Sequence, residues 1–414
     1  RRVLSDLGCV WVGGGGRYPV LITDLGSGLY GYVDVNVIPV DDNNRNGQKY
    51  NGWVGNNPKT SITETDSRAS CMVINSNFSS PNFNSGSEQN NLNGTTSHEY
   101  VHAVQFAWGD PGKQMDGMWA ESTAAYFEDE VYDSANSAYI YLYGDFIQGG
   151  LGAQGWATPE GGDEGYRNFL FFRYMSEQCG GANKADGGEN IMQAFFENVA
   201  VSKGTSNEDK EMLSLKKAVE EKCSPQTSFK DLFHDWAITA KFMKDCQDNS
   251  GYGAKHCLEE ASEYKAHANA KYKEDPPGSD TSVPRVAHTV NAVTTSAVNG
   301  SIKDAYGLQW VRLPLGTDSY QITLSRTSGD GILRGSVVCD KGSSFDRQPL
   351  GPVTSSPQSV TVQPNGCADV VLVITNEKES LSAGAASEYT LQVNGGKSNV
   401  ALPPLIQLLL LKKK

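Results

Sequence analysis

Hydrophobic and polar positions divide the chain into three stretches. Residues 18–39 alternate around Gly26-Ser27-Gly28 and read as strands. A short apolar run, Cys71-Met72-Val73-Ile74-Asn75, reads as another, and the Asn/Ser/Gly-rich residues 76–94 after it read as a long loop. Helical spacing then takes over. One helix is expected from an N-cap at Thr95, Thr96 or Ser97 to about Trp108, broken by Gly109-Asp110-Pro111-Gly112. A second runs from near Met118 to about Tyr132. Further helical segments cover 134–146, 166–178, 191–199 and 229–243, separated by the glycine-rich residues 149–165. Past residue 284 the pattern shortens to runs at 286–293, 308–315, 319–325, 332–338, 358–363, 369–375 and 388–393, each bounded by Gly, Pro, Asn or Ser. The fold class is α+β, β-rich then α-rich, followed by an all-β sandwich. The domains expected are 1–272, a Pro/Gly/Ser/Asp linker at 273–284, the sandwich at 285–396 and an apolar, basic tail at 397–414.

Charge and cysteines narrow the surroundings. The 414 residues carry a formal charge of −13, which argues against nucleic acid or an anionic membrane as partner. The eight cysteines include no C-x-x-C pair, so disulfides and a secreted, extracellular setting are expected rather than a cysteine metal site. The pairing expected is Cys246–Cys257, Cys339–Cys367, Cys9–Cys71 and Cys179–Cys223, although spacing alone does not fix connectivity. Sequons at Asn77, Asn93 and Asn299 are compatible with glycosylation. The apolar run 405–411 before Lys412-Lys413-Lys414 is shorter than the ~20 residues a membrane helix needs, so no stable membrane insertion is expected. The tail and the β-domain could serve self-association or surface attachment.

Candidate chemistry sits in His98-Glu99-Tyr100-Val101-His102. On a helix, residues four apart share a face, so His98 and His102 can address one ion while Glu99, ~100° further round, reaches a water without being a ligand. Hydrolytic zinc sites take a third protein ligand. The candidate is Glu121 on the second helix, with 18 residues lying between it and His102. Asp42, Asn44 and Asn46 alternate ahead of Gly47 like the first half of a calcium loop, but Trp53 stands where the bidentate acid belongs. An Asx-rich turn is the default there, with Ca2+ as a secondary candidate. Glu128, Asp129 and Glu130 read as a solvated face, and one of them, or Ser122 or Thr123, could hydrogen-bond a ligating histidine. Tyr139, Tyr141 and Tyr143 read as packing.

The histidine motif and the 18-residue spacing to Glu121 resemble the gluzincin metallopeptidases, especially the zinc aminopeptidase branch. The run Gly165-Tyr166-Arg167-Asn168-Phe169-Leu170-Phe171-Phe172 is similar to that branch's helix carrying a transition-state tyrosine, which places Tyr166 in that role. The stretch from Cys71 to Tyr132 is closer still to the secreted bacterial metallopeptidases of the MXAN type, and the resemblance covers roughly residues 15–245. It implies a two-lobed fold with zinc on His98, His102 and Glu121, and Glu99 as general base. It offers Tyr166, or failing that His234, as the oxyanion donor. It also implies an edge strand beside the zinc helix that pairs with extended substrate, for which 71–75 is the candidate. No Gly-x-Met-Glu-Asn stretch precedes the motif, so an endopeptidase acting on protein or peptide substrate is preferred to an aminopeptidase. Ser387–Val393 looks like the last strand of prepeptidase C-terminal domains. The competing expectations are a secreted structural, adhesive or self-assembling protein on the same scaffold, and a carbohydrate-binding sandwich.

Overall fold

The computed structural model describes residues 10–11, 18, 20–26, 29–34, 36–39, 50–51, 62, 70–79, 87–109, 117–142, 166, 168–179, 190–201, 207–223, 227–246, 253, 255–272, 286–291, 293, 297–302, 306–377 and 387–395. They form a mixed α+β structure with four sheets. The Asp42, Asn44, Asn46 loop, the 273–284 linker, the glycine-rich residues 149–165 and the 397–414 tail lie outside the described residues.

Two short strands flank the apolar run at the N-terminal end. β2 (Val20–Thr23) pairs parallel and β3 (Gly31–Asp34) antiparallel with β6 (Cys71–Asn75). All five residues of β6 are buried, which is why its sequence is continuously apolar up to Asn75. β6 is therefore the central strand, hydrogen-bonded on both sides, and the expectation that it offers a free edge to substrate is corrected. The remaining N-terminal strands, β1 (Val10–Trp11), β4 (Asn36–Pro39) and β5 (Tyr50–Asn51), form a separate small sheet.

Helix α1 (Glu88–Trp108) starts well before the expected cap. Ser87 is the N-cap, and its hydroxyl accepts from Asn90 N at 3.1 Å. Thr96 and Ser97 lie inside the helix and spend their hydroxyls on Leu92 O (2.7 Å) and Gly94 O (2.9 Å). Polar composition made residues 88–94 look like loop, yet they run continuously into the histidine motif. Gly94 serves packing there: a Cβ on it would lie 2.2 Å from Ser137 Oγ, on the 3₁₀ turn Ser137–Leu142. Gly31 plays the matching part on the sheet side, since a Cβ there would sit 2.9 Å from Val73 O and 3.1 Å from Glu99 Cγ. Helix α2 (Gly117–Val131) packs along α1, and α3 (Phe169–Cys179), α4 (Asn190–Val201), α5 (Asn207–Lys222), α6 (Phe229–Phe242) and α7 (Ala261–Tyr272) complete the helical part.

The C-terminal β-strands make two sheets that face each other. One has the order β12 (Phe345–Val353), β11 (Leu333–Asp340), β14 (Asp369–Asn376), β9 (Leu308–Arg312), β7 (His288–Thr289). The other has the order β13 (Gln358–Val362), β10 (Tyr320–Ser328), β15 (Ser387–Gly395), β8 (Ala297–Ile302). Ile322, Leu324, Val337, Leu372, Ile374 and Leu391 fill the space between them. The opposite face of the first sheet packs on the helices: Leu308, Trp310, Val338, Val371 and Val373 belong to the same core cluster as Phe233 and Trp236. β14 is thus buried on both faces and reads Val-Val-Leu-Val-Ile rather than alternating. Trp310 Nε1 donates to Ala237 O at 2.9 Å across this seam. The sandwich accordingly shares a core with the helices.

Disulfides join Cys179–Cys223, Cys246–Cys257 and Cys339–Cys367, as expected. Cys71 is also disulfide-bonded, while Cys9 lies outside the described residues. No helix among the described residues is long and apolar enough to cross a membrane.

Candidate metal centre

Two helices and one 3₁₀ turn build the site. His98 and His102 stand one turn apart on α1, and Glu121 faces them from the first half of α2. His98 Nε2 lies 3.1 Å from His102 Nε2. Glu121 Oε2 lies 2.9 Å from the first of these nitrogens and 3.4 Å from the second. Among the described residues this is the group of histidine, cysteine and carboxylate side chains close enough to hold one metal ion. Zinc–ligand distances of about 2.0–2.2 Å place tetrahedral donors roughly 3.3–3.5 Å apart. The three observed separations fall close to that edge length, so the residues fit a cation of this kind.

The outer ring nitrogens explain how the donors are aimed. His98 Nδ1 lies 2.7 Å from Glu128 Oε1, to which it donates. His102 Nδ1 lies 2.8 Å from Gln105 Oε1. The amide of Gln105 is itself oriented, because its Nε2 donates to Ala120 O and Thr123 Oγ1, both at 2.9 Å. Its oxygen must then accept the Nδ1 proton of His102. Both imidazoles consequently turn Nε2 toward Glu121, the orientation ligating histidines require. Three acceptors this close repel one another unless positive charge lies between them.

The electrostatics agree. Burial works against a charged His98, but the hydrogen bonds with Glu121 and Glu128 and the charges of Glu128 and Glu99 outweigh it and raise its pKa to about 10. Burial likewise opposes ionised Glu121, and the hydrogen bonds from His102 and His98 overcome it, holding the carboxyl far below its usual range. The group could hold a cation. It opens on the Glu121 side, whose side chain is 30% exposed against 8% for His98 and 14% for His102.

Glu99 points off the same helix toward the sheet. It is buried, and its Oε2 has no hydrogen-bond partner among the described residues. Burial raises its pKa, with the charges of His98 and His102 pulling the other way. An orphaned carboxylate oxygen beside a metal-ligand cluster is costly for the fold and useful to a base. Tyr166 is also brought to the cluster. Its ring stacks on His98 with centroids 5.5 Å apart, and burial, the charge of Glu121 and a hydrogen bond to it push its pKa up, so the phenol stays protonated.

His234 is not brought there. It lies on α6 at the seam with the sandwich, Nδ1 2.8 Å from Thr375 Oγ1 and Nε2 2.8 Å from Ser336 Oγ. With both nitrogens committed to β-sheet hydroxyls, it has none left to donate to a substrate, and its expected role as oxyanion donor is corrected. The solvated reading of residues 128–130 is corrected too. Glu128 serves His98, Asp129 accepts from Tyr264 OH at 2.6 Å, and Glu130 pairs with Arg173. Glu128 was legible in one respect, for it falls seven residues, or about two turns, after Glu121 and so on the same helix face. Gln105, three residues past His102 on the same face, is the positioning group that the motif search passed over.

A cavity of about 930 Å³ lies elsewhere, on the flank of α1 bearing Val101, Val104 and Trp108, and is walled by Met72, Phe127 and Phe196. None of the residues discussed above as ligands or as base lines it.

No family model and no curated protein matches the chain. Among solved structures, the chain is similar to RmlC from Streptococcus suis in complex with dTDP-D-xylose, at 15% identity over 26% of this chain and 47% of that one, with a TM-score of 0.16. It is similar to CorA, a surface-associated copper-binding protein of Methylomicrobium album, at 7% identity over 27% and 98% of the two chains (TM-score 0.21). The mitogen from Yersinia pseudotuberculosis gives 10% identity, 25% and 87% coverage and a TM-score of 0.19. Likenesses this partial carry no functional information.

Proposed function

We propose that this chain is a zinc-dependent peptidase of gluzincin type, acting on extended protein or peptide substrate as an endopeptidase. The observation that carries the reading is the convergence of two Nε2 atoms and one carboxylate oxygen, aimed by Glu128 and Gln105, beside the unpartnered oxygen of Glu99. His98, His102 and Glu121 would hold the ion, and a two-nitrogen, one-oxygen donor set suits zinc. Bound zinc supplies Lewis acidity, which acidifies water and polarises a carbonyl.

The chain's own residues do the rest. Glu99 takes a proton from the attacking water and passes it to the departing amine, and its burial-raised pKa favours holding that proton in between. Tyr166, kept protonated, donates to the oxygen on which charge develops. β3, whose Gly31 lies against Glu99, stands at the end of the strand order β2–β6–β3, and we assign substrate pairing to it in place of β6. The two-lobed gluzincin architecture, with α1 at the seam between the β-rich and helical parts, belongs to this same reading. So does a secreted setting, which the disulfides fit.

The adhesive alternative draws less support. The first sheet of the sandwich is occupied by the helices, and on the outer sheet the exposed positions include Gln321, Ser359, Thr361, Glu388 and Gln392, with no exposed aromatic ring among its described residues. The test is Glu99→Gln. This variant is expected to retain stoichiometric zinc and to lose hydrolysis of casein or a quenched peptide by roughly 10²–10⁴-fold, the usual weight of a general base. Undiminished, chelator-sensitive hydrolysis by the variant would remove Glu99 from the mechanism. Absence of bound zinc in the wild-type protein would remove the whole reading.

A further inference from the structure

Tyr141 closes a ring of contacts that includes a metal ligand and the phenol facing it. It stands on the 3₁₀ turn Ser137–Leu142, a segment whose tyrosines the sequence offers as packing. Its hydroxyl donates to Glu128 Oε1 at 3.3 Å, the same oxygen that accepts from His98 Nδ1. Its ring stacks on Tyr166 with centroids 4.5 Å apart and planes 23° apart. Tyr166 in turn stacks on His98, 5.5 Å between centroids and 19° between planes. The circuit runs His98, Glu128, Tyr141, Tyr166 and back to His98. Its four members come from four parts of the chain: α1, α2, the 3₁₀ turn and Tyr166, three residues before α3.

We propose that Tyr141 is a positioning residue with two separable duties, and the proposal rests on the peptidase reading above. Through its hydroxyl it fixes the carboxylate that orients His98 and so tunes metal affinity. Through its ring it holds the Tyr166 phenol over the cluster and so tunes turnover. The chemistry of each link separates them. A hydrogen bond to the carboxylate partner of a ligating histidine acts on the ground-state affinity of the ion. A ring contact acts on where the donor stands when charge develops, where a displacement of about 1 Å is worth roughly 10²-fold in rate. Glu128 has two donors on one oxygen, so losing one weakens its hold on His98 without abolishing it. The arrangement also makes the turn Ser137–Leu142 part of the site's frame, against which α1 approaches closely at Gly94.

Two variants cut the duties apart. Tyr141→Phe keeps the ring and removes the hydroxyl. Zinc affinity, measured by competition with a chromophoric chelator, is expected to fall about 3- to 10-fold, less than the roughly 10–100-fold of losing a direct partner of the ligand. Its kcat on a quenched peptide at saturating zinc should stay within about twofold of wild type, because the rate-determining geometry is untouched. Tyr141→Leu removes both groups and should lower kcat at saturating zinc by about 10-fold or more with KM little changed. Combined with Tyr166→Phe it should cost little beyond Tyr166→Phe alone, since both changes disable one donor. Should Tyr141→Leu fail to fold, Tyr141→Phe and its zinc affinity still decide the first duty, and Tyr141→Met, which removes the stacking ring while filling its volume, decides the second by the same loss of kcat. Unchanged zinc affinity in Tyr141→Phe overturns the hydroxyl's duty. Wild-type kcat in Tyr141→Leu, or losses that simply multiply in the double variant, overturn the ring's. Failure of the parent reading looks different: the wild-type protein itself would then bind no zinc, or bind it and cleave nothing with or without Tyr141.

Discussion

His98 and His234 are both buried in helices and both have two polar partners, yet their neighbours set them to opposite tasks. His98 sits among carboxylates, with Glu128 on one nitrogen and Glu121 facing the other, and Glu99 contributes charge nearby. His234 sits among hydroxyls, Ser336 and Thr375. Burial and the guanidinium charges of Arg347 and Arg334 press its pKa well below the ordinary histidine value. Arg347 also donates to Asp235 at 2.6 Å, so the positive charge at this seam is already paired. The first neighbourhood could hold a cation. The second fastens a neutral imidazole between α6 and two strands. Burial is common to both, and partner chemistry decides which histidine could serve as a ligand.

Removing one residue from each neighbourhood tests the contrast most strongly. Glu121→Ala should weaken zinc binding by about two to three orders of magnitude, taking roughly 10–16 kcal/mol for a whole protein zinc site shared over its ligands. It should leave the fold intact in the presence of chelator, as the side chain is partly exposed. His234→Leu should do the reverse. Zinc affinity stays within about twofold, while Thr375 loses its imidazole partner and Ser336 keeps only Arg347, at a cost of about 1–3 kcal/mol in urea unfolding. A His234→Leu protein that loses zinc in proportion to its loss of stability would merge the two neighbourhoods into one and end the comparison.

The pH dependence of the metal-free protein should separate them next, because the signs differ. His98 has its folded-state pKa raised to about 10, so its stabilising contribution is complete below the unfolded value near 6.5 and fades as pH climbs toward 10. For His234 the folded-state pKa is lowered, so the unfolded chain takes up the proton first and stability drains away as pH falls below about 6.5. One proton is worth up to about 1.4 kcal/mol per pH unit, or near 3 kcal/mol between pH 6.5 and 4.5. In urea titrations with chelator, the penalty of His234→Leu should shrink on acidification and that of His98→Leu should shrink on alkalinisation. Parallel curves for the two variants would refute the assignment of opposite environments.

Much of the first neighbourhood and little of the second could be read along the chain. The ligand set is local chemistry: two histidines a turn apart and a glutamate at a distance typical of a neighbouring helix. Glu128 and Gln105 were half visible, since helical spacing puts them on the right faces without saying what those faces touch. Residues 88–94 read as loop because Asn and Gly are poor helix formers. Packing against Ser137 and a cap at Ser87 override that preference, which only the fold discloses. His234 beside Asp235 looked like chemistry. Its partners are 102 and 141 residues away in sequence, on strands whose approach to α6 no local pattern encodes. The buried tract of β14 carried the one hint, an unbroken apolar run that an exposed accessory sheet would not need.

The gentlest way to sharpen the contrast is to delete one hydroxyl in each neighbourhood, one that supports Gln105 behind His102 and one that His234 touches directly. Thr123 Oγ1 receives Gln105 Nε2, which also reaches Ala120 O. Thr123→Val should therefore loosen the amide that aims His102 without freeing it, lowering zinc affinity by roughly threefold, below the 10–100-fold expected of a direct partner. Ser336 Oγ is shared between His234 Nε2 and Arg347 Nε, at 2.8 and 3.1 Å. Ser336→Ala should cost about 1 kcal/mol, the net worth of an ordinary buried hydrogen bond, and leave zinc affinity where it was. The two changes are chemically alike and similar in size. If calorimetry of zinc binding and urea midpoints respond to them in the same proportion, partner chemistry is not what divides the two histidines, and the carboxylate surroundings of His98 lose their claim to mark a metal centre.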